Sequence, residues 1–568
     1  VSFAVKPSSL RPEPVLARLR DHHEEQSRRV DLRPGSPHHG AWISPEMSLP
    51  EAGHVGTTLH LARAALLCAA ARRRLVALDE PRLLREARAH LAWLLRAQRP
   101  SGLIDLRSCN YDSGPDTAFA VQLVCAVVEL ARGVTRPSPA WRAVLRDAER
   151  FLRRAFPGLL GGGFHTPNHR WVVASALAWS AALLPALRPG RVLADYLAEG
   201  VDIDDEGSFI ERSAAIYDAV CDRSLLLLHE HAGWVPGLDA ALRNLRFNLS
   251  LLHPDGSIDT SLSHRQDHGL RAVPLNLAPC YLHAAARSPR DRAAFLSAAA
   301  LLVSASGPTE DKHLFWLAHA LFRLGPQRLP ASTALPSRFR RWFPQKPLWR
   351  VRQDDLSASF LGRGTTLATL RCRDATLHSL KITQSYFGTG RFIADRMRPR
   401  GKGLRMECEA RHFPHAPGYQ LPLGRPVPME DWAKTLDERP MRAMPPCRSR
   451  LDITPLADGF AFDYRTLDGI DGVPAQIALD FAPGAIWESA GTSLVPAAGQ
   501  TLFLTSGLGR LIYPDCVVEI SPGADAHRTW RMRDAEPVGP DSVRILIPLL
   551  TPLRHRFRLR FLRSRSPR

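Results

Sequence analysis

Lysine is almost missing from this sequence: six lysines stand against 69 arginines. No run approaches eighteen uninterrupted apolar residues, so no membrane-spanning helix is expected. The first ten residues, Val1 to Leu10, hold no long apolar core followed by a small-residue cleavage site, and no leader peptide is visible. Nine cysteines lie far apart, without a CxxC pair or a Cys/His cluster at zinc spacing. Such an odd, scattered set reads as buried free thiols in a reduced compartment. That favours a cytoplasmic location, although a trimmed secreted or periplasmic chain would look the same at its N-terminus. No repeat is strict enough for a solenoid. Nothing supports nucleic-acid binding, and neither a metal nor a cofactor is expected.

What is present is a chain of 568 residues, too long for one ordinary core. Its 45% hydrophobic and 23% charged content is that of a folded globular protein. The formal charge of +19 has two readings. A basic surface attracts an acidic polymer through steering and counterion release. Enrichment in arginine, alanine and leucine is also the mark of a GC-rich genome, and the arginines are spread along the chain. One dense run, Arg554 to Arg568, alternates arginine with apolar residues as an edge strand would.

Helical periodicity dominates from Thr57 to Leu324. It recurs at Thr57–Leu78, Pro81–Ala97, Asp116–Arg132, Ala140–Ala155, Arg170–Leu184, Ser208–His231, Leu238–Leu252 and Asp291–Ser304, with Gly/Pro-rich separators. Ten to twelve paired helices with short links imply an α/α bundle or toroid. From Leu348 onward short runs alternate apolar and polar residues between Asp-Gly turns, as in an antiparallel β-sandwich. The expected organisation is an N-terminal extension over 1–56, an (α/α) toroid over 57–324, a linker over 325–347 and a sandwich over 348–568.

Four polar segments interrupt the helical half. In Asn110-Tyr111-Asp112-Ser113-Gly114-Pro115-Asp116-Thr117, capping by Asp116 or Thr117 explains one residue, while Asn110, Tyr111 and Asp112 can line a cleft. In His165-Thr166-Pro167-Asn168-His169-Arg170, Asn168 reads as an N-cap. A helix start also gathers free amides and the positive dipole end, a good seat for a carboxylate. In Glu206-Gly207-Ser208-Phe209-Ile210-Glu211-Arg212-Ser213, continued to Tyr217 and Asp222-Arg223, helical spacing would put Ser213 and Tyr217 on one face. Tyr217 beside an arginine suits proton transfer, and equally suits a ring packed with its hydroxyl at the boundary. The loop from Asp255 to Asp267 carries His264 and Arg265, which can reach a carboxylate or hold a turn together.

Together these pieces resemble the heparinase II/III-like and alginate-lyase-like group of polysaccharide lyases. The resemblance rests on Asn168-His169 opening a helix and on the acidic-Gly-Ser-aromatic-x-Glu-x-Ser run from Glu206 to Ser213, followed by Tyr217. A third segment, Asp374 to Ile382 with His378 and then Gly388 and Gly390, looks like a degenerate version of the group's histidine-bearing strand. It has one histidine where two are common and lacks the nearby aspartate.

The resemblance implies a toroid coupled to a β-sandwich, and cleavage of a uronate-containing, acidic glycan by β-elimination. Asn168, His169, Tyr217 and His378 would be catalytic; Asn110, Tyr111, Asp112, Arg212, His264 and Arg265 would bind substrate. Hydrogen-bond donors would neutralise the uronate carboxylate, and an acid and a base would move the protons. The rival readings are a glycoside hydrolase on the same scaffold, using two carboxylates among Asp112, Asp116, Asp205 and Glu211, and a non-catalytic glycan-binding protein.

Overall fold

A computed structural model describes residues 10–329, 335–411 and 417–564. The chain divides into two compact units, Val1–Leu335 and Pro336–Arg568.

The first unit carries twelve α-helices among its described residues: α1 (Pro12–Ser27), α2 (Thr57–Arg72), α3 (Glu80–Ala97), α4 (Gly114–Arg132), α5 (Pro139–Gly161), α6 (Pro167–Leu183), α7 (Gly190–Ala198), α8 (Tyr217–Ala232), α9 (Val235–Leu251), α10 (Leu277–Arg287), α11 (Arg292–Ala305) and α12 (Leu314–Leu324). The even-numbered helices from α2 to α12 each touch the next, and α12 returns to α2, closing a ring. Helices α3, α5, α9 and α11 back this ring, and α1 lies against α2 and α12. Composition explains the sorting. Helices α2, α4 and α6 are apolar almost all round and buried on nearly every side. By contrast α3 and α5 bury one stripe and turn their arginines outward. Helix α4 is apolar and long enough to cross a membrane, but here it is a core helix, buried along its length.

Two local starts differ from the sequence reading. The segment from Ser208 to Ile216 is turn and loop, not helix, and α8 begins at Tyr217. Arg212 there adopts φ +46°, which helical geometry excludes. Ser213 nevertheless reaches Tyr217, its Oγ accepting from the Tyr217 backbone amide at 3.3 Å. Helices α1, α7, α10 and α12 lie outside the periodic segments; α7, α10 and α12 are short, and α1 falls in the stretch read as an N-terminal extension. The start of α4 abuts the end of α5: a Cβ on Gly114 would stand 2.8 Å from the backbone of Gly162, so the contact needs glycine. That assigns one member of the Gly161-Gly162-Gly163 run to packing.

The second unit is a β-sandwich. One sheet has the order 501–503, 543–550, 474–481, 375–384, 368–372, 356–361, 348–353 and 338–343, antiparallel except for its first pair. The other runs 396–400, 403–408, 449–456, 459–466, 554–563, 516–521, 509–512, 486–489 and 492–494. Their inner faces share one apolar core, with Phe360 of one sheet edge-on to Phe460 of the other at 4.9 Å. Strand Arg338–Phe343 falls inside the stretch read as a linker. The arginine-rich strand Arg554–Arg563 is central rather than an edge. Phe557, Leu559 and Phe561 point inward, while Arg554 and Arg560 pair outside with Asp463 and Asp458. Residues 565–568 of that run lie outside the described residues. All the cysteines but Cys109 are buried.

Candidate functional site

The polar segments singled out above all precede or open helices of the inner ring, and side-chain contacts link them. His54, just before α2, stacks on Phe119 of α4 with ring centroids 4.3 Å apart. Phe119 meets the ring of His169 in α6 edge-on at 6.0 Å. Next to His169, Asn168 donates from Nδ2 to both oxygens of Glu211, at 2.7 and 2.8 Å, and from its backbone amide at 3.1 Å. Glu211 in turn pairs with Nη1 of Arg265, from the loop before α10, at 2.7 Å. The Arg265 guanidinium carbon lies 4.6 Å from the ring centroid of Tyr217, the first residue of α8. Residues at the starts of α2, α4, α6 and α8 are thereby gathered. Helix starts present positive dipole ends, which suits the Glu211 carboxylate held there.

Each start has its own local reason. Helix α4 is capped by Ser113, whose Oγ accepts from the Asp116 amide at 3.3 Å and donates to Asp116 Oδ2 at 2.6 Å. Neither Asp116 nor Thr117 is the cap. Asp116 is buried and also accepts from Asn110 Nδ2 at 3.0 Å. Helix α6 has Thr166 at its N-cap position and Pro167 at its first turn, so Asn168 is inside the helix rather than capping it. The loop before α8 is fastened by the buried carboxylate of Asp267, which accepts from Ser213 Oγ at 2.9 Å, Ser263 Oγ at 2.9 Å and the Ala215 amide at 3.0 Å.

Burial sets the titration of these groups. His169 is pushed below the ordinary imidazole range chiefly by burial, with Asp116 opposing and His165 and Arg265 adding to the fall. Its Nδ1 is buried without a hydrogen-bond partner. His54 is pushed down to about 4, again chiefly by burial. Burial raises Glu211, against the hydrogen bond from Asn168 and the charge of Arg265. Both amide hydrogens of Asn168 are used, by Glu211 and by Thr166 Oγ1 at 3.0 Å, and its buried Oδ1 has no partner.

The remaining candidates lie around this chain or apart from it. Tyr111 is 64% exposed on a small hairpin, with its hydroxyl donating to the Arg107 carbonyl. Asp112, at φ +49°, accepts from Ser101. Arg212 turns to His264, Nη1 to Nε2 at 3.4 Å, so the arginine beside Tyr217 is Arg265 and not its sequence neighbour. Asp222 is fully buried with both oxygens unpartnered and is raised far above the carboxylate range by burial. Arg223 stacks over Trp316 at 4.8 Å. His378 belongs to the second unit, on strand 375–384, with Nδ1 2.9 Å from Ser542 Oγ. His54 and Phe119 were missed from sequence: a lone histidine between glycines and a phenylalanine in an apolar helix carry no pattern of their own.

No family model matches the sequence, and no curated protein does. Solved structures do match in fold. A Paenibacillus xanthan lyase aligns over 100% of this chain and 58% of its own, at 10% identity and TM-score 0.55. A heparinase III aligns over 89% of this chain and 76% of its own, at 9% identity and TM-score 0.52. A second heparinase III gene product covers 97% of this chain and 84% of its own, at 9% identity and TM-score 0.50. This chain thus spans little more than half the length of the xanthan lyase. It has the polysaccharide-lyase fold, an α/α toroid followed by a domain of antiparallel sheets.

Proposed function

We propose that this protein is a polysaccharide lyase that cleaves a uronate-containing glycan, glucuronate being the first candidate, by β-elimination. The observation that carries the reading is the linked set Tyr217, Arg265, Glu211, Asn168 and His169 at the helix starts of a toroid. Proteins named xanthan lyase and heparinase III share the fold. Elimination needs the charge on the uronate carboxylate offset, the C5 proton removed and the C4 oxygen protonated. Donors around Glu211 are already arranged to hold a carboxylate: the Asn168 amides and Arg265. Arg265, partly exposed and bearing five donors, would meet the substrate carboxylate and stabilise the enolate-like intermediate. Asn168 holds Glu211, which holds Arg265, and so positions the pair. Tyr217 gives or takes a proton, and His169, kept neutral by burial, serves as the base. His378 enters from the resemblance alone, as a further acid or base. Tyr111, Asp112 and Asn110 would bind neighbouring sugars on the exposed hairpin, and Arg212 and His264 would do so from the other loop.

The experiment is incubation with a panel of uronate polymers while following ultraviolet absorbance. A lyase leaves a conjugated C4–C5 double bond and the absorbance rises. New reducing ends without that rise would establish hydrolysis instead. Binding without either product would leave a glycan-binding protein.

A further inference from the structure

Away from this site, three buried groups on three helices meet with nothing in the proposed chemistry to explain them. His23 of α1, His60 of α2 and Glu86 of α3 are 0%, 1% and 4% exposed. One donor atom from each lies within 4.8 Å of the others. His23 Nε2 stands 3.2 Å from Glu86 Oε1, within ion-pair distance, while its buried Nδ1 makes no hydrogen bond. His60 Nδ1 is equally buried and unpartnered. Orphaned polar atoms of this kind are costly and need an explanation.

His90 of α3 supplies the decisive detail. Its Nδ1 lies 2.6 Å from the Gly40 carbonyl oxygen, which can only accept, so Nδ1 carries the proton. Its other nitrogen, Nε2, faces Glu86 Oε1 at 3.4 Å. A buried carboxylate ringed by imidazoles needs positive charge beside it. For a metal bound at 2.0–2.1 Å in a tetrahedron, neighbouring donor atoms stand roughly 3.3 Å apart. The His23–Glu86 separation, 3.2 Å, fits that edge.

We propose that His23, His60 and Glu86, with His90 beside them, form a structural site for one divalent transition-metal ion that clamps α1 to α2 and α3. Imidazole with a carboxylate suits zinc. Ser27, donating to Glu86 Oε1 at 3.1 Å, orients the carboxylate as an outer-shell partner does. Arg63, buried nearby, acts electrostatically on His23 and His60 and opposes part of an ion's charge there.

The test uses the whole chain. Metal content by mass spectrometry, after purification without chelator, should give about one zinc per chain for a single such site. Chelation should lower the melting temperature by several degrees and added Zn²⁺ should restore it, because an ion bound only by the folded state stabilises that state. Loading the stripped protein with Co²⁺ should give the intense visible bands of a tetrahedral site. His23→Asn and His60→Asn should each lose the ion while still folding. If either variant fails to fold, the Co²⁺ spectrum of the unaltered protein decides. Unaltered protein that holds no metal, shows no melting shift with Zn²⁺ and gives no Co²⁺ bands would overturn the proposal.

Discussion

Arg265 lies over the face of Tyr217, guanidinium carbon to ring centroid 4.6 Å, while its Nη1 is tied to Glu211 at 2.7 Å. A cation held on a ring face constrains where the phenol points, and links the helix that carries Tyr217 to the loop before α10. Removing the Tyr217 hydroxyl leaves this stacking in place. Tyr217→Phe should therefore lower kcat by about 10²-fold or more, the range for general acid–base groups, with KM nearly unchanged. Retention of more than about a tenth of the activity would remove Tyr217 from the mechanism.

Glu211→Gln should act through its partners. The substitution keeps size but strips the charge that holds Arg265, and replaces one of the acceptor oxygens facing Asn168 with an amide. We expect a loss of about 1–3 kcal/mol in stability, the range for a buried polar group left badly matched. A fall in kcat/KM of more than tenfold should accompany it. Denaturant unfolding and steady-state kinetics on one preparation check both. Unchanged kinetics with reduced stability would make Glu211 a scaffold for α6 alone.

Stability should fall in mild acid, and His54 should account for part of it. Burial lowers its folded-state pKa to about 4 from 6.5, so the unfolded chain binds the proton first as pH falls. Stability is lost from about pH 6.5 down to about pH 4 and the loss levels off below that. The bound on this one group is about 3 kcal/mol. Asp218, raised to about 6 by burial, works in the opposite sense over an overlapping range. A comparison with His54→Phe cancels that contribution, because the substitution keeps a ring against Phe119. The variant's unfolding free energy should be flatter between pH 6.5 and 4. Parallel curves would show that His54 does not stay neutral in the fold.

Ser113→Ala should cost about 1 kcal/mol, the usual figure for a lost N-cap. It also removes a 2.6 Å donor from Asp116, which lies near His54 and His169. The predicted signature is a lower melting temperature together with a shifted acid limb of the pH–rate profile. A stability loss with an unmoved pH profile would confine Ser113 to capping.

Much of this molecule can be read along the chain. Helices α2 to α6 show in their periodicity, because burying an apolar face is a local pattern. The strands after Leu348 show in their alternation for the same reason. Asn168, His169 and Tyr217 stand out because their segments are polar where the neighbours are apolar. The departures have local causes too: a left-handed Arg212 breaks the helix drawn through Ser208–Tyr217, and Ser113 outcompetes Asp116 as the cap of α4. The run Arg554–Arg563 read as an edge because arginines alternated with apolar residues. That pattern describes one wet and one dry face, and says nothing of whether both backbone edges are paired.

Local pattern along the chain thus sets the class of each element and marks the residues that cannot be mere core. Their partners come from contacts distant in sequence. Asn168 and Glu211 are 43 residues apart, Glu211 and Arg265 are 54, and no local pattern couples them. Tyr217 meets Arg265 rather than Arg212 because the loop before α10 folds over the start of α8. His23, His60 and Glu86 sit on three helices as single polar residues, and each alone is unremarkable. Periodicity is a property of neighbours along a chain, whereas a site is a property of neighbours in space, and closing the helical ring converts one into the other.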